Sequence, residues 1–491
     1  MTRTIASPIG LFATALLCFF SCARPTTAPR GPVRDNVLLI SIDTLRADHL
    51  GSYDYERVTS PELDRLAAES VRFDSAYAPA PWTLPSHATM LTGIHAWDLG
   101  ITSQWKKLPA ETRLLSETLA AAGYRTAAIV DSPPAGFVGA ERGFDRGFDS
   151  YQHLPRRPGQ FFKFDAAATV DAALDWLEQR DRGRPFFLFL HSKAVHAEAN
   201  SDPCFDERCF PYDTEEQDRL YFLSAEDAAI RWTDPELGSG QEYLWEVNRR
   251  IHVGAMDPRS FPDERLRALV ALYDAGIRTV DRHLGRLFAT LREDGVLDET
   301  IVIVTSDHGE AFLDHALLMH QEVHEETVRV PLLIRLPGAG SRIEERVVTE
   351  PASLEDIVPT VLELLGLDPP SETTGRSLPL NGQTAAAADR EFFHYYTFRE
   401  RFVYQAFALR RGDLKLIIHN LGDPDHPRAE LFNLADDPGE SEPLGEAAAG
   451  FEALRQQIRQ RIARPPLADG GEIAHPQQPL ANDLTALGYI D

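Results

Sequence analysis

The stretch NVLLISIDTLRADHLGSY, Asn36 to Tyr53, decides the fold. Val37 to Ile42 is a short, β-rich, almost wholly apolar run, the composition of a strand buried on both faces. It ends abruptly on Asp43. The same unit recurs along the chain. Thr126 to Val130 leads to Asp131, Phe186 to Leu190 leads to His191, and Ile301 to Thr305 leads to Asp307. Pro331 to Leu336 is a further strand of this kind. Between the strands lie helical patterns at Pro61 to Ser70, Leu115 to Ala122, Asp171 to Gln179 and Leu266 to Glu293, the last holding one long helix or two. Strands alternating with helices predict an α/β fold with a mainly parallel sheet flanked by helices. In open α/β sheets ligands bind beyond the carboxyl ends of the strands. A single Asp after a strand is a common turn or cap residue. Asp43, Asp131, His191 and Asp307 together point to one site.

The chain has 491 residues, enough for a large catalytic domain and a smaller one. Hydrophobic residues make up 43% and charged residues 25%, which excludes a collagenous, coiled-coil or mostly disordered protein. The formal net charge of −26 argues against nucleic acid and against anionic lipid surfaces as partners, since both need a positive field. Ile9 to Phe20 is apolar but shorter than the roughly 20 residues that cross a bilayer as a helix. Arg3 before it and Ser21-Cys22-Ala23 after it make residues 1–22 a signal peptide of the lipoprotein type, with ordinary cleavage after Ala23 as the alternative. The protein is therefore expected to be exported to the periplasm or anchored at the outer membrane. Cys22 is its one expected membrane contact. Residues 23–34, rich in Pro and Thr, read as a tether. In an oxidising compartment Cys204 and Cys209 are expected to pair.

Residues 35–385 are read as the catalytic domain. Residues 197–260 interrupt its pattern with polar sequence and with Trp232, Tyr243 and Trp245, and are read as an insertion over the site that selects the substrate. Residues 386–491 change character. The runs 392–396, 406–409 and 414–418, then a helix from 451 to 464, predict a small C-terminal antiparallel α+β subdomain and a tail.

Three segments carry a resemblance. Asn36 to Tyr53, Thr59 to Gly93 (TSPELDRLAAESVRFDSAYAPAPWTLPSHATMLTG) and Ile303 to Glu310 (IVTSDHGE), followed by His320 to Gly338, resemble the sulfatase family of the alkaline phosphatase superfamily. ELFNLADDPGE, Glu430 to Glu440, looks like that family's C-terminal signature. The resemblance implies an alkaline phosphatase-like fold and one divalent metal ion (calcium, zinc or manganese) at the sheet's carboxyl ends. It places Asp43, Thr44, Asp307 and His308 in metal-ligand positions, although Thr44 stands where many sulfatases have a second Asp. It places Thr83, His87, His196 and His320 in catalytic positions. His308 adds a nitrogen donor, which favours zinc or manganese, while the carboxylates alone suit calcium or magnesium.

The sequence departs from the family most at Thr83. Sulfatases have Cys or Ser there, oxidised to formylglycine, whose second hydroxyl expels sulfate. A threonine adduct has no such hydroxyl, and its turnover needs water to attack the central atom, as phosphoryl transfer allows. The resemblance with this change implies an ester hydrolase acting on sulfate or, in preference, phosphate or phosphonate esters through a covalent Thr83 adduct. His87 stands where many sulfatases have Arg, and the sulfate-contacting Gly-Lys-x-His stretch is missing. His196 and His320 can bind a non-bridging oxygen, protonate the leaving group or take a second metal. His191 is read as orienting its strand end, His315 and His324 as surface or supporting residues, and Ser86 as a helix cap. Lys193 is left as either a substrate cation or a solvated side chain. The substrate is expected to be a small molecule, a glycan or a lipid ester. A phospho-group transferase and a non-catalytic glycan-binding protein are the alternatives.

Overall fold

In β1 (Asn36–Ile42), Leu38, Leu39 and Ile40 are all buried, as the unbroken apolar run requires. The structure, a computed structural model, describes residues 35–154, 165–197, 210–212, 214–338, 347–380, 390–397, 405–419 and 428–473. The leader, the tether and the Cys204–Cys209 pair fall outside the described residues. The other strands of the central sheet are β2 (Val71–Tyr77), β3 (Arg125–Val130), β4 (Ser150–His153), β5 (Phe186–Ser192), β6 (Thr300–Thr305) and β7 (Arg329–Arg335). Their order across the sheet is β4-β3-β5-β1-β6-β7-β2, with Val347–Val348 and Ala352–Ser353 along the outer edge of β2.

All pairings are parallel except those of β7, which runs against both β6 and β2. The sequence pattern does not reveal this reversal. Its cause lies in the connection. Residues 306–328 contain only the four-residue helix Glu325–Val328, too little to carry the chain back across the sheet. The segment stays at the carboxyl end of β6, and the next strand must return the other way. His308, His320 and His324 are thereby kept at one end of the sheet.

Helices α1 (Pro61–Ala67), α2 (Thr83–Thr92), α3 (Leu115–Ala121), α4 (Ala166–Gln179), α5 (Glu216–Phe222), α6 (Gln241–His252) and α7 (Asp263–Glu293) flank the sheet and its insertion. α7 is a single helix of 31 residues that packs on α1, α4 and α5. α2 packs on α3 and on the helix Ile357–Leu364. Every residue of α2 is buried, so the helix is fixed on all sides.

The C-terminal sheet has four antiparallel strands in chain order, β8 (Glu391–Tyr396), β9 (Ala406–Arg411), β10 (Leu414–His419) and β11 (Arg428–Asn433). The tight β9–β10 turn has Gly412 at φ 59°, a conformation that glycine takes without strain. The helix Phe451–Ala463 packs on β9 and β10.

Within the insertion, Trp232, Tyr243 and Trp245 are buried. Trp232 meets Tyr243 edge to face, and Arg265 lies over both rings. These aromatics are part of the insertion's own packing. The insertion still reaches the site through Asn248 of α6. Its Oδ1 accepts from the Leu318 amide at 2.7 Å and its Nδ2 donates to Gln321 Oε1 at 3.4 Å, on either side of His320.

Candidate active site

β1 delivers Asp43, β6 delivers Asp307 and His308, and the N-terminus of α2 delivers Thr83 to one pocket. Trp82 is extended, and Thr83 begins the helix. Ser86 Oγ donates to the Ala80 carbonyl at 2.8 Å and pins the turn before it. Thr83 Oγ1 then lies 3.5 Å from Asp43 Oδ2, at the positive end of the α2 dipole.

Asp43 Oδ1, Asp307 Oδ2 and His308 Nε2 are buried and have no hydrogen-bond partner. His308 Nε2 stands 3.5 Å from Asp43 Oδ1 and 3.6 Å from Asp307 Oδ2. Its Nδ1 donates to the Gly309 carbonyl at 3.0 Å, which leaves Nε2 as the lone-pair nitrogen. Three unpaired donors aimed at one another inside a protein fit a cation.

The electrostatics agree. Burial opposes ionisation of Asp43, but the Lys193 ammonium and His196 outweigh it and hold its carboxyl well below the usual range. Asp307 is pushed well above that range by burial and by the Asp43 charge. Two carboxylates in one buried pocket do not ionise together unless a positive charge joins them. Burial and the neighbouring His320 push His308 down to about 3, so its imidazole is neutral and able to ligate.

Thr44 does not stand in for a second carboxylate in the same way. Its Oγ1 donates to the Val195 carbonyl at 2.9 Å, and its amide donates to Asp307 Oδ1 at 3.3 Å. It sits at φ 60°, an unusual conformation for a β-branched residue, and these two bonds hold it there.

His87 is wholly buried beneath the pocket. Its Nδ1 donates to the Thr83 carbonyl at 2.9 Å, and its Nε2 accepts from Ser41 Oγ at 3.0 Å. Both ring nitrogens are thus spent on holding the start of α2 against β1. Burial keeps the ring neutral, its pKa well below the ordinary value.

His196 and His320 come together with ring centroids 5.2 Å apart, and His320 lies 4.4 Å from the His308 ring. His196 Nδ1 donates to the Ala197 carbonyl at 2.6 Å. His320 Nδ1 donates to Glu310 Oε1 at 3.1 Å, and Glu310 is fully buried. Lys193 Nζ approaches Asp43 Oδ2 at 3.7 Å, and its side chain is only 6% exposed, so it belongs to the pocket and not to solvent.

Asp131 stands at the end of β3, one strand further out, where burial raises its carboxyl to about 7. His324 is buried and His315 half-buried. Their rings stack at 3.8 Å in a group with Glu326, His419 and Glu430, where the 306–328 segment meets the C-terminal sheet. Glu310 carries no signal of its own in the sequence beyond its place at the end of the Ile303 to Glu310 motif.

The chain belongs to the sulfatase family, whose model matches residues 35–367. The model of the C-terminal region of N-sulphoglucosamine sulphohydrolase matches residues 313–465. Among curated relatives, the N-acetylglucosamine-6-O-sulfatase of Bacteroides thetaiotaomicron is 28% identical, covering 88% of this chain and 86% of that protein. The multifunctional alkaline phosphatase superfamily protein PehA of Trinickia caryophylli is also 28% identical, covering 78% of this chain and 85% of its own length. The solved phosphonate monoester hydrolase of Agrobacterium radiobacter superposes with a TM-score of 0.63 at 22% identity, covering 90% of this chain and 100% of that one, a likeness of fold. The protein is a hydrolase of sulfuric or phosphoric esters, in a family whose members depend on a metal. That sets aside the non-catalytic alternative.

Proposed function

We propose that the protein hydrolyses a phosphate or phosphonate ester in preference to a sulfate ester, through a covalent adduct on Thr83. The observation that carries this reading is the position of Thr83 Oγ1, at the N-terminus of α2 and 3.5 Å from Asp43 Oδ2. Asp43, Asp307 and His308 would hold the cation. When bound, a divalent ion supplies Lewis-acid stabilisation of the attacking and leaving oxygens.

The chain's own residues supply the rest. Thr83 Oγ1 attacks the phosphorus, and its proton leaves toward Asp43 Oδ2. The ester's bond to the departing alcohol breaks as the Thr83–phosphorus bond forms. His320, oriented by Glu310, gives a proton to that alcohol. The Lys193 ammonium beside Asp43 steadies the non-bridging oxygens. Water then attacks phosphorus and gives a proton back to His320, the Thr83–phosphorus bond breaks as Thr83 Oγ1 recovers its proton from Asp43, and the phospho group leaves. The same atoms can act on a sulfate ester, but the second step is then attack at sulfur without the elimination open to formylglycine.

The sugar sulfatase and the phosphonate monoester hydrolase among the relatives and fold neighbours frame the test. The purified protein is assayed with p-nitrophenyl sulfate, phosphate, a phosphodiester and a phosphonate, after intact-mass analysis shows position 83 unmodified. Turnover of the phosphorus esters above the sulfate supports the reading; turnover of the sulfate alone overturns it. The leader pattern of residues 1–22 supports export and a lipid anchor at Cys22. Fractionation of expressing cells, with Cys22→Ala released from the membrane fraction, tests that part.

A further inference from the structure

Where the 306–328 segment meets the C-terminal sheet, imidazoles and carboxylates gather in a group that shares no residue with Asp43, Asp307 and His308. The segment brings His315, Glu322, His324 and Glu326, β10 brings His419, and β11 brings Glu430. One ligand atom each of His324, His419 and Glu430 lies within 4.8 Å of the other two. Three donors from three places in the chain thus converge where two parts of the fold join. The reaction described above uses none of them.

The neighbours do not satisfy every atom of this group. His324 is only 3% exposed, and its Nδ1 has no hydrogen-bond partner. Glu322 Oε2 lies 2.7 Å from that nitrogen, but out of line for a hydrogen bond. Arg428 holds Glu430 Oε1 at 2.6 Å, and Glu430 Oε2 is the oxygen that faces His419 Nε2, at 3.0 Å. A proton joins that pair, and a cation bound between the two atoms would replace it. His315 is already engaged on both sides, by Glu326 Oε1 at 2.8 Å and by the Glu440 carbonyl at 3.0 Å. It stacks on His324 and leaves the ligation to it.

Two imidazoles and a carboxylate are a donor set that suits zinc and its first-row neighbours. Donors around a tetrahedral zinc ion stand about 3.4 Å apart. The His419–Glu430 pair is already near that spacing, and His324 has to draw in by about 1.4 Å at most. Glu322, beside His324, is the fourth donor at hand. The His419–Glu430 hydrogen bond must break on binding, whereas the active-site donors have no such bond to lose. The active site therefore fills first, and this site needs more zinc.

We propose that His324, His419 and Glu430 form a second, structural site for a zinc-class ion, which clips the C-terminal sheet to the segment that carries His308 and His320. The inference rests neither on the reaction nor on the active-site cation. The full-length protein is freed of metal with a chelator and dialysed against excess zinc, and bound zinc per chain is read by mass spectrometry. Two ions are expected in wild type, one in Asp307→Asn, one in His419→Gln and one in Glu430→Gln. None is expected when Asp307→Asn and His419→Gln are combined. X-ray absorption on Asp307→Asn is expected to show two imidazoles on the ion that remains.

A zinc count in His419→Gln and Glu430→Gln equal to that of wild type overturns the inference, since ions scattered over surface groups would survive both changes. One ion in wild type and none in Asp307→Asn overturns it and leaves the active-site cation standing. One ion in wild type that survives Asp307→Asn and is lost in His419→Gln upholds it and sinks the active-site cation instead. If His419→Gln does not fold, Glu430→Gln decides. If neither folds, the imidazole count in Asp307→Asn decides, and fewer than two overturns the inference.

Discussion

Thr83 Oγ1 and Lys193 Nζ approach the same oxygen, Asp43 Oδ2, at 3.5 and 3.7 Å. A hydroxyl and an ammonium are thus gathered around one carboxylate at the end of β1. A tetrahedral group attached to Thr83 would meet the cation and the ammonium with different oxygens.

Replacing Thr83 with Ala is expected to lower kcat by about 1,000-fold or more, since nucleophile loss normally costs orders of magnitude. Metal content by mass spectrometry and the melting temperature should stay near wild type. Thr83→Ser keeps the hydroxyl and should remain within about tenfold. Residual Thr83→Ala activity above about a tenth of wild type removes Thr83 as the nucleophile.

Asp307→Asn tests the electrostatic account of the pocket. In the metal-free protein Asp307 is held well above the ordinary carboxylate range by burial and the Asp43 charge. Ionising it costs stability, so metal-free wild type should lose stability as pH rises from 4 through that raised value. The variant has no such carboxyl. It should be at least as stable as wild type when both are metal-free at pH 8. Zinc at 100 times its dissociation constant should stabilise wild type by about 2.7 kcal/mol and the variant far less. Equal gains in melting temperature would show that Asp307 is not a ligand.

The strand ends were readable because each buried strand is an apolar run cut off by a titratable residue. Asp43 and Asp307 announce themselves in this way. His191 does too, but a histidine at a strand end has no distinctive spacing, and only the fold sets its Nε2 3.5 Å from Asp43 Oδ2. β11 was missed because Arg428-Ala-Glu430 opens it with charges, which the sheet accommodates by pairing Arg428 and Glu430 with each other and His419 with Glu430. The reversed direction of β7 is a property of the connection and leaves no trace in the strand. Trp232 and Trp245 stand out in the polar insertion, and their burial shows what large aromatics do there, which is to build the insertion a core of its own.

His320 is oriented by a carboxylate, so Glu310→Gln should weaken its action on the leaving group. The loss in kcat is expected to be about tenfold or less for p-nitrophenyl esters, whose leaving group needs little protonation. It should be larger, about 100-fold, for alkyl esters. A loss that is the same for both leaving groups would show that the Glu310–His320 pair supports the loop and not the proton transfer.

His315 gives the fold a dependence on alkaline pH. Burial opposes its protonation, but Glu326 and Glu440 outweigh burial and raise it to about 9 from an ordinary 6.5. Its contribution to stability is fully present below pH 6.5 and is lost as pH rises through 9. Between those values wild type should lose melting temperature, and His315→Gln should show a flatter profile. Parallel profiles in that window would remove His315 as the source.

Lys415 of β10 joins the C-terminal sheet to the segment that carries the site. Its side chain is completely buried, with Nζ 2.9 Å from Glu325 Oε1 and 2.8 Å from Glu440 Oε1. Glu440 Oε2 accepts from the Glu325 amide at 2.6 Å, which closes the link. Lys415 is held charged, since the two carboxylates outweigh burial, while burial raises Glu440 to about 7 in spite of Lys415. Removing the ammonium leaves buried carboxyls that must ionise alone or take up protons. Lys415→Met should therefore destabilise the protein by about 3 kcal/mol at pH 8, the low end for a broken buried pair, because Glu440 can neutralise. The deficit should shrink as pH falls toward 5 and the carboxyls protonate. Denaturant unfolding at the two pH values measures both. A deficit that does not change with pH would mean that Lys415 acts through packing of its stem and not through its charge.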